Sequence, residues 1–267
     1  MMCSLPRILS LIGVVFTLVA LTALPFAACG SSDDTEPETT VEEDVLDRLP
    51  EVPEPSEPAP PDTSPRGVFD DAQAMWSQEF EAAGVDYVPA ELTIFSDQVD
   101  TACGTQSAGI GPFYCPADHG VYLDTTFFDA LGRQAGVELG DVAQAYVVAH
   151  EVGHHVQTLV GTLQRKAEAD EQDPAGKNER SVRFELQADC FAGIWKHSRY
   201  QRGQLTAHDL EEALRAAAVI GDDFQQARAT GTIRPEDWTH GSSAQRQHWL
   251  TTGFEQGKPA ACDTFGS

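Results

Sequence analysis

A His-Glu-x-x-His motif occupies residues 150–154, inside an apolar stretch at residues 143–157, and constrains the fold more than any other part of the chain. In an α-helix, residues four apart lie on the same face, one turn apart. A helical conformation therefore directs His150 and His154 to one point, where they can bind a single metal ion. Glu151 then lies beside the metal and can act on a coordinated water molecule. The motif predicts a buried helix that carries two ligands and a general base.

A third ligand is needed, because a hydrolytic zinc site has three protein ligands and keeps a fourth position for water. Glu185 is the candidate, since it lies between apolar neighbours in a later helix-forming stretch. Asp189 follows four residues later, so both carboxylates face one side of that helix. Zinc satisfies the buried Glu185, and Asp189 is expected to accept the free ring N–H of a ligand histidine. In the alternative, Glu185 lies on a solvated face and pairs with Arg180 or Arg183.

Three other side chains are candidates for supporting roles. His240 stands beside Gly241 in a Gly/Ser-rich loop and is expected to stabilise a developing oxyanion. A structural histidine in a helix-capping loop is the alternative. Tyr122 is a further candidate donor, with a packing aromatic as the alternative. His155 points about 100° away from its neighbour His154 around the helix, so it is expected to support or pack and not to bind the metal.

The first 29 residues resemble a bacterial lipoprotein signal peptide. Arg7 provides a basic start, residues 8–19 are apolar, and small residues precede Cys29, although Phe26 replaces the usual aliphatic residue. Cys29 is therefore the predicted lipidation site and membrane anchor. An ordinary secretory signal and a transmembrane helix are the alternatives.

Residues 30–66 are predicted to form a disordered, acidic, proline-rich tether. They hold half of the chain's 16 prolines and twelve acidic residues, too little apolar material to form a core. A ligand-binding segment is the alternative. Residues 67–267 then have the length of one domain. This domain is strongly acidic in a chain of net charge −25, which makes nucleic acid a poor partner and leaves the oligomeric state open.

The cysteines predict disulfide bonds in an exported domain. Of six cysteines, Cys3 leaves with the signal peptide and Cys29 is lipidated, which leaves an even set: Cys103, Cys115, Cys190 and Cys262. Three pairings are possible. Cys103–Cys115 closes a local loop and Cys190–Cys262 ties the end of the domain to a helix, so these pairs are favoured. A cysteine zinc cluster is the alternative, but the Cys-x-x-Cys spacing is missing.

Apolar periodicity predicts a mostly helical domain with a small N-terminal sheet, an α+β fold. Strands are predicted at residues 90–95 and 120–123, with an irregular loop or hairpin at 101–119 between them. An exposed sheet edge at 121–123 is expected to pair with substrate, and an ordinary edge strand is the alternative. The helices are predicted at residues 69–80 with a stop at Gly84, at 125–134 capped by Asp124, at 141–160, at 179–202 after a polar linker at 168–178, and after caps at Thr206 and at Ser242 or Ser243.

Several stretches beyond the motif resemble the bacterial neutral zinc metallopeptidases, a gluzincin-like family. They include the Glu-x-x-Ala-Asp element that begins at Glu185, and they span nearly the whole domain: residues 102–104, 111–116, 121–124, 149–157, 185–193, 220–223, 239–246 and 262–265. The resemblance implies a zincin-like, zinc-dependent peptidase domain with His150, His154 and Glu185 as ligands and Glu151 as base.

These features together predict an exported peptidase, lipid-anchored to the bacterial cell envelope, that cleaves peptide or protein substrates internally. Its expected cofactor is Zn²⁺. Two alternatives are a non-catalytic envelope lipoprotein stabilised by zinc and a zinc hydrolase of a non-peptide envelope bond. The intact Glu151 argues against the first, because a structural zinc does not require that carboxylate.

Overall fold

A computed structural model describes residues 61–266 apart from residues 108, 125 and 137–139. The predicted signal peptide, its lipidation site Cys29 and the predicted tether up to residue 60 lie outside the described residues. None of the helices in the described part is long and apolar enough to cross a membrane.

The described residues form an α+β fold in which helices predominate, as the apolar periodicity predicts. The helices are α1 (Pro65–Ala82), α2 (Phe127–Ala135), α3 (Asp141–Leu159), α4 (Thr162–Gln172), α5 (Lys177–Gln201), α6 (Ala207–Val219), α7 (Asp222–Thr230) and α8 (Ser243–Gln256). The strands are β1 (Glu91–Phe95), β2 (Gln98–Thr101), β3 (Gly104–Ser107), β4 (Phe113–Cys115) and β5 (Gly120–Asp124).

The first helix begins two residues inside the segment predicted as tether. Ser64 caps it by accepting a hydrogen bond from the Gly67 amide (3.1 Å), and Pro65 occupies the first turn, where its missing N–H costs nothing. The apolar face predicted for this helix is buried, including Phe69, Ala72, Trp76 and Phe80.

The sheet that packs beside the helices has the order β1-β5-β4. Strand β1 runs parallel to β5 with Leu92 opposite Val121, and β4 runs antiparallel to β5 with Tyr114 opposite Val121. Strands β2 and β3 form a separate hairpin. Strand β5 is therefore central and wholly buried. The prediction of an exposed substrate-binding edge at residues 121–123 is wrong, because both sides of β5 are already paired.

Helix α3, which carries the motif, crosses the centre of the core against α5. Gly153 permits the close approach, because a Cβ at this position would lie 3.1 Å from the carbonyl oxygen of Ala188. Helices α5 and α8 pack closely as well, since a Cβ at Gly253 would overlap the carbonyl oxygen of Cys190. Glycines at these contacts bring the backbones together and fix the relative positions of α3, α5 and α8.

Other helix boundaries differ from the predictions where the helices are polar. Residues 162–172, predicted in part as linker, form α4, which ion pairs such as Lys166–Asp170 (2.8 Å) stabilise without an apolar face. Helix α7 was not predicted at all. Contrary to the prediction, Asp124 is not the cap of α2. It accepts a hydrogen bond from the Thr126 amide (2.8 Å), Thr126 occupies the cap position, and the helix begins at Phe127.

Two disulfide bonds join the cysteine pairs favoured from the sequence. Cys103 and Cys115, with Cα atoms 5.9 Å apart, join the turn of the β2–β3 hairpin to the end of β4. Cys190 and Cys262, with Cα atoms 5.6 Å apart, join α5 to the segment that follows α8.

Candidate metal centre

Three of the predicted site residues converge between α3 and α5. The ligand atoms of His150, His154 and Glu185 all lie within 4.8 Å of one another. Nε2 of His150 is 3.1 Å from Oε2 of Glu185, and Nε2 of His154 is 3.5 Å from Oε1 of Glu185. Two tetrahedral zinc ligands lie about 3.4 Å apart. The donor set and its spacing therefore fit a catalytic zinc ion.

Glu185 faces the two imidazoles and not the neighbouring arginines. Arg180 pairs with Asp170 and Asp173, and Arg183 pairs with Glu179. The alternative of a solvated, arginine-paired Glu185 is therefore wrong. Burial opposes ionisation of Glu185, but the charges of the two histidines hold the pKa of its carboxyl well below its usual range. An ionised carboxylate is the form that binds a metal cation.

Asp189 contacts His150, the first of the two candidate ligand histidines. It is fully buried, and its Oδ1 lies 2.8 Å from Nδ1 of His150. Burial alone would lower the pKa of His150, but the charge of Asp189 and its hydrogen bond raise it to about 10. Because the ionised carboxylate only accepts hydrogen bonds, Nδ1 donates to Asp189, and Nε2 is the nitrogen that gives up its proton when a metal ion binds.

Two residues that the sequence analysis missed hold Asp189 in place. Arg246 donates from Nε and Nη2 to the two carboxylate oxygens, at 2.9 Å each, and Tyr146 donates its hydroxyl to Oδ1. Burial raises the pKa of Asp189, but the charges of Arg246 and His150 more than offset this, so its pKa lies below the usual value. The only available signal for Arg246 was its place in a stretch that resembled the family.

His154 and the candidate base Glu151 complete the centre. Nδ1 of His154 lies 2.8 Å from Oε1 of Gln157, and its ring stacks on Phe184 with centroids 5.1 Å apart. Glu151 is 6% exposed and lines the same cleft. Burial raises the pKa of its carboxyl, and the nearby His154 and His150 partly oppose this. Glu151 is thus a carboxylate with increased basicity beside the ligands.

A cleft of about 440 Å³ opens above the ligands. This volume is within the range of pockets that bind small molecules or parts of peptides. Its walls are largely apolar and come from both the sheet side and the helices, and they include Phe113, Tyr114, Phe127, Leu163, Phe184 and Ile220.

His240 lies in this cleft, at the start of the segment that leads into α8. The amides of residues 239–241 all donate to Oδ2 of Asp222, at 2.7, 2.7 and 3.0 Å, so the loop is wound around this carboxylate. Nδ1 of His240 is 3.3 Å from Oδ1 of Asp222. This hydrogen bond raises the pKa of His240, against the effect of burial. The side chain is 52% exposed and can reach a substrate.

Two other candidates lie outside the centre. Tyr122 donates its hydroxyl to Asp118 (2.8 Å) and stacks on Phe113, which leaves it a packing role. His155 contacts the carbonyl oxygen of Val88 through Nε2 (2.7 Å), so this nitrogen is the donor. Burial lowers the pKa of His155 to about 4, which keeps it neutral. Its place away from the ligand cluster agrees with the prediction.

This arrangement defines a class of site: two histidines and a glutamate on one helix, completed by a glutamate from a second helix, form the ligand and base set of zinc metallopeptidases. The chain belongs to the family described as "Putative neutral zinc metallopeptidase", whose model matches residues 55–265. The resemblance drawn from the sequence is thereby confirmed.

Similar proteins occur in Escherichia coli and in Mycobacterium tuberculosis. The chain is 49% identical over 193 residues to the uncharacterized protein YpfJ of Escherichia coli K12, a match that covers 72% of this chain and 67% of YpfJ. It is 47% identical over 191 residues to the uncharacterized protein Rv2575 of Mycobacterium tuberculosis H37Rv, which covers 68% of this chain and 64% of Rv2575. No solved structure shows significant similarity to the chain.

Proposed function

We propose that this protein is a zinc-dependent endopeptidase of the bacterial cell envelope. The observation that carries the proposal is the convergence of His150, His154 and Glu185 within 4.8 Å, with the buried Glu151 in the same cleft. Two imidazoles and one carboxylate are a ligand set used for catalytic zinc, which leaves a position open. A purely structural site would be closed by a fourth protein ligand.

Glu151 has the position and basicity of a general base. When bound, zinc supplies a Lewis acid that acidifies a water molecule and polarises the peptide carbonyl. Glu151 accepts a proton from the attacking water and delivers it to the leaving amine. Its raised pKa favours the first of these steps, since a stronger carboxylate base takes the proton more readily. His240, positioned by Asp222, donates a hydrogen bond to the oxyanion that develops on the carbonyl.

The free edge of β4 is the proposed binding site for the substrate backbone. Strand β4 pairs only with β5 among the described strands, and its residues Phe113 and Tyr114 line the cleft. An extended peptide can add to such an edge through main-chain hydrogen bonds. This binding mode requires no chain terminus, which supports internal cleavage of peptides or proteins.

The envelope location is proposed from the sequence features of residues 1–66. A lipidated Cys29 would anchor the domain through the acidic tether. Replacing Cys29 by alanine is expected to move the protein from the membrane to the soluble fraction of fractionated cells. A Cys29→Ala variant that sediments with the membrane exactly as much as the wild type would contradict the lipid anchor.

The peptidase proposal is tested with the full chain purified in detergent. Zinc content and cleavage of a peptide library are measured for the wild type, for Glu151→Gln and for the control Glu168→Gln, which alters an exposed glutamate on α4. We expect one zinc per chain in all three proteins and cleavage in all but Glu151→Gln. Bound zinc without Glu151-dependent peptide cleavage would refute the proposal in favour of the non-catalytic or non-peptide alternatives.

A further inference from the structure

Gln157 connects the ligand histidine His154 to the neighbouring helix. It is fully buried on α3, and its Nε2 donates to the carbonyl oxygen of Phe184 (2.7 Å) and to Oε1 of Gln187 (3.1 Å). A carbonyl oxygen can only accept, which fixes the orientation of the Gln157 amide and directs its Oε1 to Nδ1 of His154, 2.8 Å away. Nδ1 is therefore the donor, and Nε2 of His154 is the nitrogen that can bind a metal ion.

The chain of hydrogen bonds continues to the segment that follows α8. Nε2 of Gln187 donates to the carbonyl oxygen of Cys262 (2.9 Å), so its Oε1 must face Gln157. Cys262 is itself fixed by its disulfide bond to Cys190 on α5. The carbonyl oxygen of Cys262 thus fixes the orientation of the Gln187 amide, which in turn accepts from the Gln157 amide. Cys262 itself is held covalently by the disulfide bond.

We infer that Cys262, Gln187 and Gln157 form a positioning relay that holds His154 in its metal-binding tautomer, and that the Cys190–Cys262 disulfide thereby supports zinc affinity. This inference rests on the proposed zinc site but not on its peptidase activity. His150 obtains the same tautomer from Asp189, so the two ligands are oriented by different means: one by a charged carboxylate and one by neutral amides.

The neutral relay depends on the continuity of its links. A buried amide that loses a partner is no longer held in one orientation. The unpaired polar group also destabilises the fold, and this penalty is larger in an interior without water. If Gln187 no longer accepts from Gln157, one of the two bonds that fix the Gln157 amide is lost. Partners of metal-ligating histidines change metal affinity by about 10- to 100-fold when they are replaced.

The first test measures zinc affinity by competition with a chelator on the full chain. Gln157→Leu keeps the size of the side chain and removes the acceptor for His154, so affinity is expected to fall by about 10- to 100-fold. Gln164→Leu is the matched control, because Gln164 is exposed on α4 and bonds only to Glu168 among the described residues; its affinity should equal that of the wild type.

A second test separates the relay from general stabilisation by the disulfide. Replacing Cys190 and Cys262 together by alanine should lower zinc affinity by at least about 3-fold, the coupling expected of residues in one hydrogen-bonded network. In a Gln187→Leu background, the same replacement should have little further effect. Replacing Cys103 and Cys115 by alanine is the control, since that disulfide lies outside the relay.

A spectroscopic measurement reports the tautomer directly. The ¹⁵N shifts of His154 should show the proton on Nδ1 in the wild type and a mixture of tautomers in Gln157→Leu. Near-ultraviolet circular dichroism of each variant in chelator verifies that it is folded. Equal zinc affinity in the wild type and in folded Gln157→Leu would overturn the relay, as would a disulfide effect of the same size in both Gln187 backgrounds. A wild type that retains no zinc would instead refute the proposed metal site itself.

Discussion

Lys196 carries a charged amine into the buried core, and removing this amine should raise the free energy of unfolding of the protein. It lies on α5 with no exposed surface, and its Nζ has no hydrogen-bond partner among the described residues. Among the described residues, the face of Trp195 lies 5.5 Å from Nζ, and the charges of Asp209 and Glu212 favour the charged amine. We therefore select Lys196→Met, which keeps the length of the side chain and removes the amine.

The magnitude follows from the effect of burial on the amine. Burial lowers the pKa of Lys196 from 10.5 to about 8, against the attraction of Asp209. A folded-state pKa below the unfolded value means that the unfolded chain binds more protons, so the native lysine destabilises the protein most below pH 8. This penalty amounts to about 3 kcal/mol at pH 7 and disappears as the pH rises through 10.5.

The assay is urea unfolding of the wild type and Lys196→Met with both disulfides intact, at pH 7.0 and pH 9.5, in chelator so that metal binding does not contribute. The free energy of unfolding should be higher for the variant at pH 7.0, and this advantage should shrink by about 2 kcal/mol at pH 9.5. Lys258→Met, which alters an exposed lysine, is the control and should show no pH-dependent difference. An advantage that does not change with pH, or a variant less stable than the wild type at pH 7.0, would refute the reasoning.

Three further changes test the site and the packing around it. Glu185→Ala removes one of three ligands, so zinc content after gel filtration should fall well below one per chain. Gly253→Val places a branched side chain against the carbonyl oxygen of Cys190 and should lower the free energy of unfolding by more than about 2 kcal/mol, measured by urea titration. Asp222→Asn replaces the charged acceptor whose hydrogen bond raises the pKa of His240, so an NMR titration of His240 should show a lower pKa, while an unchanged value would exclude this contact as the cause.

The candidate metal ligands could be selected from the sequence because much of their geometry is local. His150 and His154 share a helix, so spacing alone brings them together, and Glu185 and Asp189 share another. Residue spacing does not predict that these two helices pack against each other. That part of the prediction came from the resemblance to the metallopeptidase family. The same applies to the disulfides: loop closure favoured the right pairs, but three pairings were compatible with the sequence.

The remaining parts depend on contacts between distant segments or on polar surfaces. Arg246 reaches Asp189 from the last helix, and no periodicity in the sequence marks an arginine as buried. Strand β5 was interpreted as an edge because strand order depends on which segments pair, which alternation does not reveal. Helices α4 and α7 have few or no buried residues, so they lack the apolar period on which helix prediction rests.

The glycine within the His-Glu-x-x-His motif limits how this motif can be transferred to another protein scaffold. Gly153 is formally a variable position, yet an alanine there would push the Ala188 backbone away by a few tenths of an ångström. Ala188 sits in the same helical turn as Glu185, so that displacement would carry the third ligand with it. The glycine inside the motif thus sets the distance between α3 and α5. A graft that copies only the two histidines and the glutamate would keep the metal-binding groups but not the helix spacing that brings Glu185 to them.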